Sequence, residues 1–106
     1  SELNANTLKT IATDGTTTKL KISLPTIDAN KNKVLNVFLF SNKGTIRIFM
    51  RYNGADVNTL EANYAVLDGS CEVTPTSDGY EIECGTFVRW YYMLGTTSTN
   101  YQVSLV

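Results

Sequence analysis

Residues 80–95, YEIECGTFVRWYYMLG, decide how the rest of the chain is read. They hold the only tryptophan, Trp90, together with three of the six tyrosines, one of the two cysteines and one of the three arginines. The aromatic and β-branched content makes this a β-strand, or two strands meeting at Gly85. Side chains alternate across a strand, so Phe87, Arg89, Tyr91 and Met93 share one side and Val88, Trp90, Tyr92 and Leu94 the other. A small antiparallel sheet normally shows one face to water. One of these two sets therefore faces a core, and at most one of Trp90 and Tyr91 belongs to it.

The neighbouring segments carry the same period. Residues 17–24 place Leu20, Ile22 and Leu24 on one face and Lys19, Lys21 and Ser23 on the other, and Pro25 closes the strand. Residues 45–52, TIRIFMRY, place Ile46, Ile48, Met50 and Tyr52 opposite Arg47, Phe49 and Arg51. Residues 34–40, VLNVFLF, are almost continuously apolar and are expected in the middle of the packed structure. Residues 7–13 and 99–106 read as the first and last strands, and 70–75 with 80–84 as a hairpin. Residues 57–67 are two-sided: Asn58 to Glu61 has the spacing of a helical capping box, while Leu60, Ala62, Tyr64 and Val66 alternate as a strand would. The strand is preferred because everything around it is β. Turns are expected at Asp14-Gly15, 41–44, 53–56, Asp68-Gly69, 76–79 and 95–98, with Asp14-Gly15 and Asp68-Gly69 both read as hairpins.

Eight or nine short strands separated by turns every eight to twelve residues describe a single domain spanning 1–106. The expected fold is all-β, an antiparallel sandwich of jelly-roll or immunoglobulin-like type, with a closed barrel as the alternative. A chain of 106 residues with 42% hydrophobic and 18% charged residues is globular and long enough for a real core. A net charge of −1 argues against a strongly basic nucleic-acid binder. No apolar run approaches membrane-spanning length, so no membrane partner is expected.

Two cysteines, Cys71 and Cys84, fall on the two arms of one hairpin. A four-residue loop at 76–79 sets Tyr80 opposite Pro75, Ile82 opposite Val73 and Cys84 opposite Cys71, close enough to bridge. A two-residue Asp78-Gly79 turn would instead make them diagonal neighbours. A structural bridge points to a secreted, extracellular protein. The absence of any Asn-x-Ser/Thr site suits a bacterial one. Redox chemistry is disfavoured, since there is no Cys-x-x-Cys and no histidine to lower a thiol pKa.

Catalytic and metal signals are thin. With no histidine, Ser-His and Cys-His nucleophile systems are excluded, and there is no phosphate loop or zinc-type set. Glu72, Thr74, Glu81 and Glu83 share the hairpin face away from the cysteines, with Glu72 opposite Glu83 in the bridged register. They read as a solvated surface, because a glycosidase pair needs a cleft and one raised pKa. Asp28, Asn30 and Asn32 have the alternate oxygen spacing of a calcium loop and are weak candidates for structural calcium. Lys33 and Leu39 stand where that loop's glycine and bidentate glutamate belong, so an Asx-rich turn is preferred. No cofactor is otherwise expected.

The remaining candidate is a basic and aromatic face. With Ile46, Ile48, Met50, Val88, Trp90 and Tyr92 inside, Arg47, Phe49, Arg51, Arg89 and Tyr91 lie outside. Were the two strands neighbours, these would form a platform of rings flanked by guanidinium groups. Rings stack on the C–H faces of sugars, and Arg donates paired hydrogen bonds to hydroxyls or carboxylates. Trp90 replaces Tyr91 as the ligand-binding ring if the core set is the other one.

In size, β-rich patterning and Thr/Asn/Tyr usage the chain resembles the carbohydrate-binding modules appended to secreted bacterial polysaccharide-degrading enzymes. That resemblance implies a non-catalytic module that binds a polysaccharide and is joined to the catalytic domain of a larger enzyme. The alternative is a structural or adhesive domain, such as a spacer, pilus or capsid part, which would cover Arg47, Phe49, Arg89 and Tyr91 with another chain.

Overall fold

A computed structural model describes residues 8–25, 33–53 and 56–106. The weak calcium candidates Asp28, Asn30 and Asn32 lie outside the described residues. The fold is an antiparallel sandwich of nine strands in two sheets, with no helix among the described residues. The strands are β1 (Lys9–Ala12), β2 (Lys19–Ser23), β3 (Val34–Ser41), β4 (Gly44–Asn53), β5 (Asp56–Gly69), β6 (Glu72–Thr76), β7 (Gly79–Glu83), β8 (Arg89–Thr96) and β9 (Gln102–Leu105). One sheet has the order β1-β8-β3-β4-β5 and the other β6-β7-β2-β9, and each keeps free edges, so it is not a closed barrel.

The core forms where the period-two apolar positions of the two sheets meet. The five-stranded sheet contributes Leu35, Val37, Leu39, Ile46, Ile48, Met50, Tyr52 and Trp90, and the four-stranded sheet Leu20, Ile22, Tyr80 and Ile82, all buried. Tyr101, Val103 and Leu105 of the last segment pack half-buried against this cluster, on one face as their spacing requires.

Residues 57–67 are strand. They belong to the 14-residue β5, which pairs with β4 from Gly44↔Gly69 to Asn53↔Asp56. The capping-box spacing loses because β4 offers a ladder partner along the whole length. β5 is the outer strand, and the narrower sheet opposite leaves its side chains from Glu61 onward exposed.

The cysteines bridge, with Cα atoms 4.6 Å apart. β6 and β7 pair as Glu72↔Glu83, Val73↔Ile82 and Pro75↔Tyr80, the register that sets Cys71 opposite Cys84.

Asp14-Gly15 and Asp68-Gly69 prove to be corners between sheets instead of hairpins. β1 lies in the five-stranded sheet and β2 in the other. At this corner the Asp14 carboxylate accepts hydrogen bonds from the Thr16 and Thr17 amides, at 2.8 and 2.6 Å. Those amide bonds hold the carboxyl below its ordinary value of 3.8. The folded-state pKa is depressed, so its contribution is present above that value and lost as the pH falls through the lowered one. At the second corner Gly69 has φ 87°, and a Cβ there would run into the Lys43 carbonyl. That positive φ turns the chain out of β5 and across to Cys71.

Another crossing, between β7 and β8, splits residues 80–95 at Gly85, which has φ 110°. It is tied to the β1–β2 corner. The Thr13 hydroxyl donates to the Gly85 carbonyl at 2.9 Å and accepts from the Val88 amide at 2.8 Å. The Thr13 amide donates to the Val88 carbonyl at 2.9 Å.

Burial raises the phenols of Tyr80 and Tyr92 above 10, with smaller contributions from Tyr64 and Tyr101 respectively. The folded state therefore favours the protonated phenols. Their contribution is complete below pH 10, the ordinary value, and is lost as the pH rises through the raised values. A phenolate absorbance titration of the folded protein should show an ionising limb above pH 10 that Tyr80→Phe and Tyr92→Phe each shorten.

Candidate functional site on the outer face of the five-stranded sheet

Trp90 is 1% exposed and Tyr91 38%. Trp90 is therefore a core residue and is corrected out of the candidate binding set, and the Val88, Trp90 and Tyr92 side is the inward one. Arg47, Phe49, Arg51, Arg89 and Tyr91 lie on the outer, exposed face as the alternation requires.

They do not form one platform, because β4 and β8 are not neighbours. β3 runs between them and pairs with both. Its outward residues complete the site: Phe40 lies opposite Tyr91, and Phe38 lies between Met93 on one side and Arg47 on the other. Directly opposite side chains have Cβ atoms about 5 Å apart, so these groups make a continuous strip. Phe38, Phe40, Tyr91 and Met93, joined by Leu8 at the β1 edge, line a groove of about 270 Å³. Phe38 and Phe40 escape a reading of residues 34–40 as buried on both sides. The three central positions that do face inward, Leu35, Val37 and Leu39, carry all the burial.

Arg47 and Arg89 stand at opposite ends of the strip. Arg89 is four residues from Met93 on β8, whereas Arg47 stands two strands across from Met93. Strand rise and spacing put their Cα atoms about 16 Å apart. Neither guanidinium has a hydrogen-bond or ion-pair partner among the described residues. Arg51 differs, since its Nε contacts Glu61 Oε1 at 2.7 Å on the adjoining strand. An exposed pair of this kind adds about 0–1 kcal/mol, but it removes Arg51 from the free cations. Phe49 lies on the far side of Arg47, in a separate groove with Asn36, Asn63, Ala65 and Leu67.

Phe87 is the other residue that reading for candidate sites overlooks. It is 78% exposed and has φ 53°, the one positive φ outside glycine among the described residues. A bulky side chain in that region costs about 1–2 kcal/mol. The Thr13 bonds to Gly85 and Val88 on either side hold it there. Its ring reaches toward Gly15 and lines a groove with Phe40, Ser41, Asn42, Arg89 and Tyr91. A strained backbone that presents an apolar ring to water is a pointer to function.

The acidic hairpin face is a solvated surface. Glu83 lies between Glu72 and Lys19, and Glu81 between Thr74 and Lys21. Lys21 also reaches Asp78 at 3.1 Å and the Thr76 hydroxyl at 3.0 Å, and Glu83 accepts from Thr18 and from the Gly85 amide. No group of three or more metal-ligating side chains occurs among the described residues.

Compared with protein-family models, curated proteins and solved structures, the chain matches none.

Proposed function

We propose that the chain is a non-catalytic polysaccharide-binding module and that the ligand lies along the outer face of the five-stranded sheet. One observation carries this reading. Phe38, Phe40, Tyr91 and Met93 make an exposed apolar strip with a free guanidinium at each end. Soluble domains rarely leave such a patch bare unless something binds it. Flat rings stack on the C–H faces of sugars, and the arginines donate to oxygens at the strip's two ends. A long shallow groove suits a chain better than a small molecule, which prefers an enclosed pocket. Joining this module to a catalytic domain would hold that domain on its substrate. The Cys71–Cys84 bridge is compatible with an extracellular location. The structural or adhesive alternative would cover Arg47, Phe49, Arg89 and Tyr91, all exposed in the single chain, with another chain.

Affinity electrophoresis and calorimetry against a panel of soluble polysaccharides test the reading. Tyr91→Ala and Phe40→Ala should each weaken binding about tenfold or more, and Arg89→Ala should weaken it measurably. Glu72→Gln on the other sheet should leave it unchanged. No binding to any glycan, or binding indifferent to Tyr91→Ala and Arg89→Ala, would sink it.

Phe87→Gly separates folding from binding at one position. Removing the side chain relieves the positive φ, so stability to urea should hold or rise by about 1 kcal/mol. Binding should fall if the ring belongs to the site. A variant both less stable and fully binding would make Phe87 structural.

A further inference from the structure

Charge is divided between the two sheets in a way that the net charge of −1 conceals. Strands β1, β3, β4 and β8 contain no aspartate or glutamate, yet carry Lys9, Arg47, Arg51 and Arg89. On the outer face of that sheet the carboxylates are confined to the edge strand β5, where Glu61 is held by Arg51 and Asp68 lies opposite Thr45. The opposite sheet carries Glu72, Glu81 and Glu83 on its outer side, offset by Lys19 and Lys21. Lys9 pairs with Tyr92 on the inward side of the sheet, so the cations that flank the apolar strip on its outer face are arginines, both free of partners among the described residues.

Resting on the polysaccharide reading above, we infer that the ligand is an acidic polysaccharide. It carries carboxylate or sulfate groups that Arg47 and Arg89 bind while its rings cross Phe38, Phe40 and Tyr91. A neutral glycan gives a guanidinium only hydroxyls, for which asparagine or glutamine serves as well. A carboxylate or sulfate takes two parallel N–H donors from one arginine, and those charge-assisted bonds are about twice as strong as neutral ones. Two anchors about 16 Å apart also require a chain several sugars long, so short oligosaccharides reach one arginine only. Single-stranded nucleic acid fits less well, because its backbone is followed by a continuous basic groove with a cation near each phosphate. Here only two free cations border the strip.

Calorimetry of the intact domain tests this with polygalacturonate, its fully methyl-esterified form, chondroitin sulfate, neutral xylan and a thymidine oligonucleotide. The expected result is binding of polygalacturonate or chondroitin sulfate, weakened by salt and reduced about tenfold by Arg47→Gln or Arg89→Gln. Methyl esterification should weaken polygalacturonate by a similar factor. Preference for chondroitin sulfate supports the inference with sulfate as the anion. Both substitutions are on exposed side chains, and an unchanged circular dichroism melt confirms that each variant folds. Xylan bound as tightly as the acidic chains, with both arginine variants unimpaired, overturns this inference and leaves the polysaccharide reading intact. An oligonucleotide bound more tightly than any glycan, or no glycan bound at all, overturns both.

Discussion

Trp90→Ala should cost about 3–5 kcal/mol, the range for removing a large aromatic side chain from a packed core. Trp90 is 1% exposed, lies on β8 and pairs with Ile11 of β1. Domains of this size have about 5–15 kcal/mol in hand, so the substitution removes a large share of the total. Urea unfolding followed by circular dichroism measures it, since the variant has no tryptophan left to report. Tyr91→Ala, one residue along, should cost about 1 kcal/mol or less while abolishing most binding. The pair of results separates the inward and outward faces of the strand. A small loss for Trp90→Ala together with a large one for Tyr91→Ala would reverse the assignment.

Opening the disulfide should cost about 3 kcal/mol. Cys71 and Cys84 are 13 positions apart, and bridging a loop of that size restricts the unfolded chain by about that amount. At about 4–8 °C per kcal/mol for a domain this small, the melting midpoint should drop by about 12–24 °C. The Cys71→Ala/Cys84→Ala double variant and the wild type under reductant should agree. Polysaccharide binding measured well below the lowered midpoint should survive, because the bridge joins the margins of β6 and β7 while the strip lies on the far face of the other sheet. Loss of binding in a folded, bridgeless variant would mean that the β7–β8 crossing, which begins at Cys84, fixes the geometry of Phe87 and Arg89.

Side-chain alternation carries most of what is legible in the sequence. It divides Ile46, Ile48 and Met50 from Arg47, Phe49 and Arg51, and Trp90 from Tyr91, while burial decides that the first set of each pair is the inward one. The cysteine register is one of the two that the 76–79 turn allows, because a hairpin's pairing is fixed by its loop, a local matter. What escaped was non-local. Asp14-Gly15 and Asp68-Gly69 have hairpin chemistry, but whether a reversing chain rejoins its own sheet depends on which strand has an unpaired edge. β1 found that edge on β8, about eighty positions away. Strand adjacency failed for the same reason. Arg47 and Arg89 looked like potential neighbours, and nothing in their own strands announces that β3 separates them. The apolar run on β3 also hid its outward rings, since a strand buried on both faces and one with Phe38 and Phe40 in water share a composition. Phe87 was invisible as a site residue because its backbone angle comes from Thr13, not from anything beside it in sequence.

The Thr13 tie has a consequence for the order in which the molecule assembles. Its partners Gly85 and Val88 are 72 and 75 positions away. The β3–β4–β5 meander and the β6–β7 hairpin close short loops and can nucleate independently. β8 can dock between β1 and β3 only after the chain has closed loops several times longer, and that entropy is lost before the new contacts return anything. Native-state hydrogen exchange should accordingly find β1 and β8 opening at lower free energy than β3 and β4. On this order the strand that presents Tyr91 and Arg89 should be the last seam of the fold to close and the first to part.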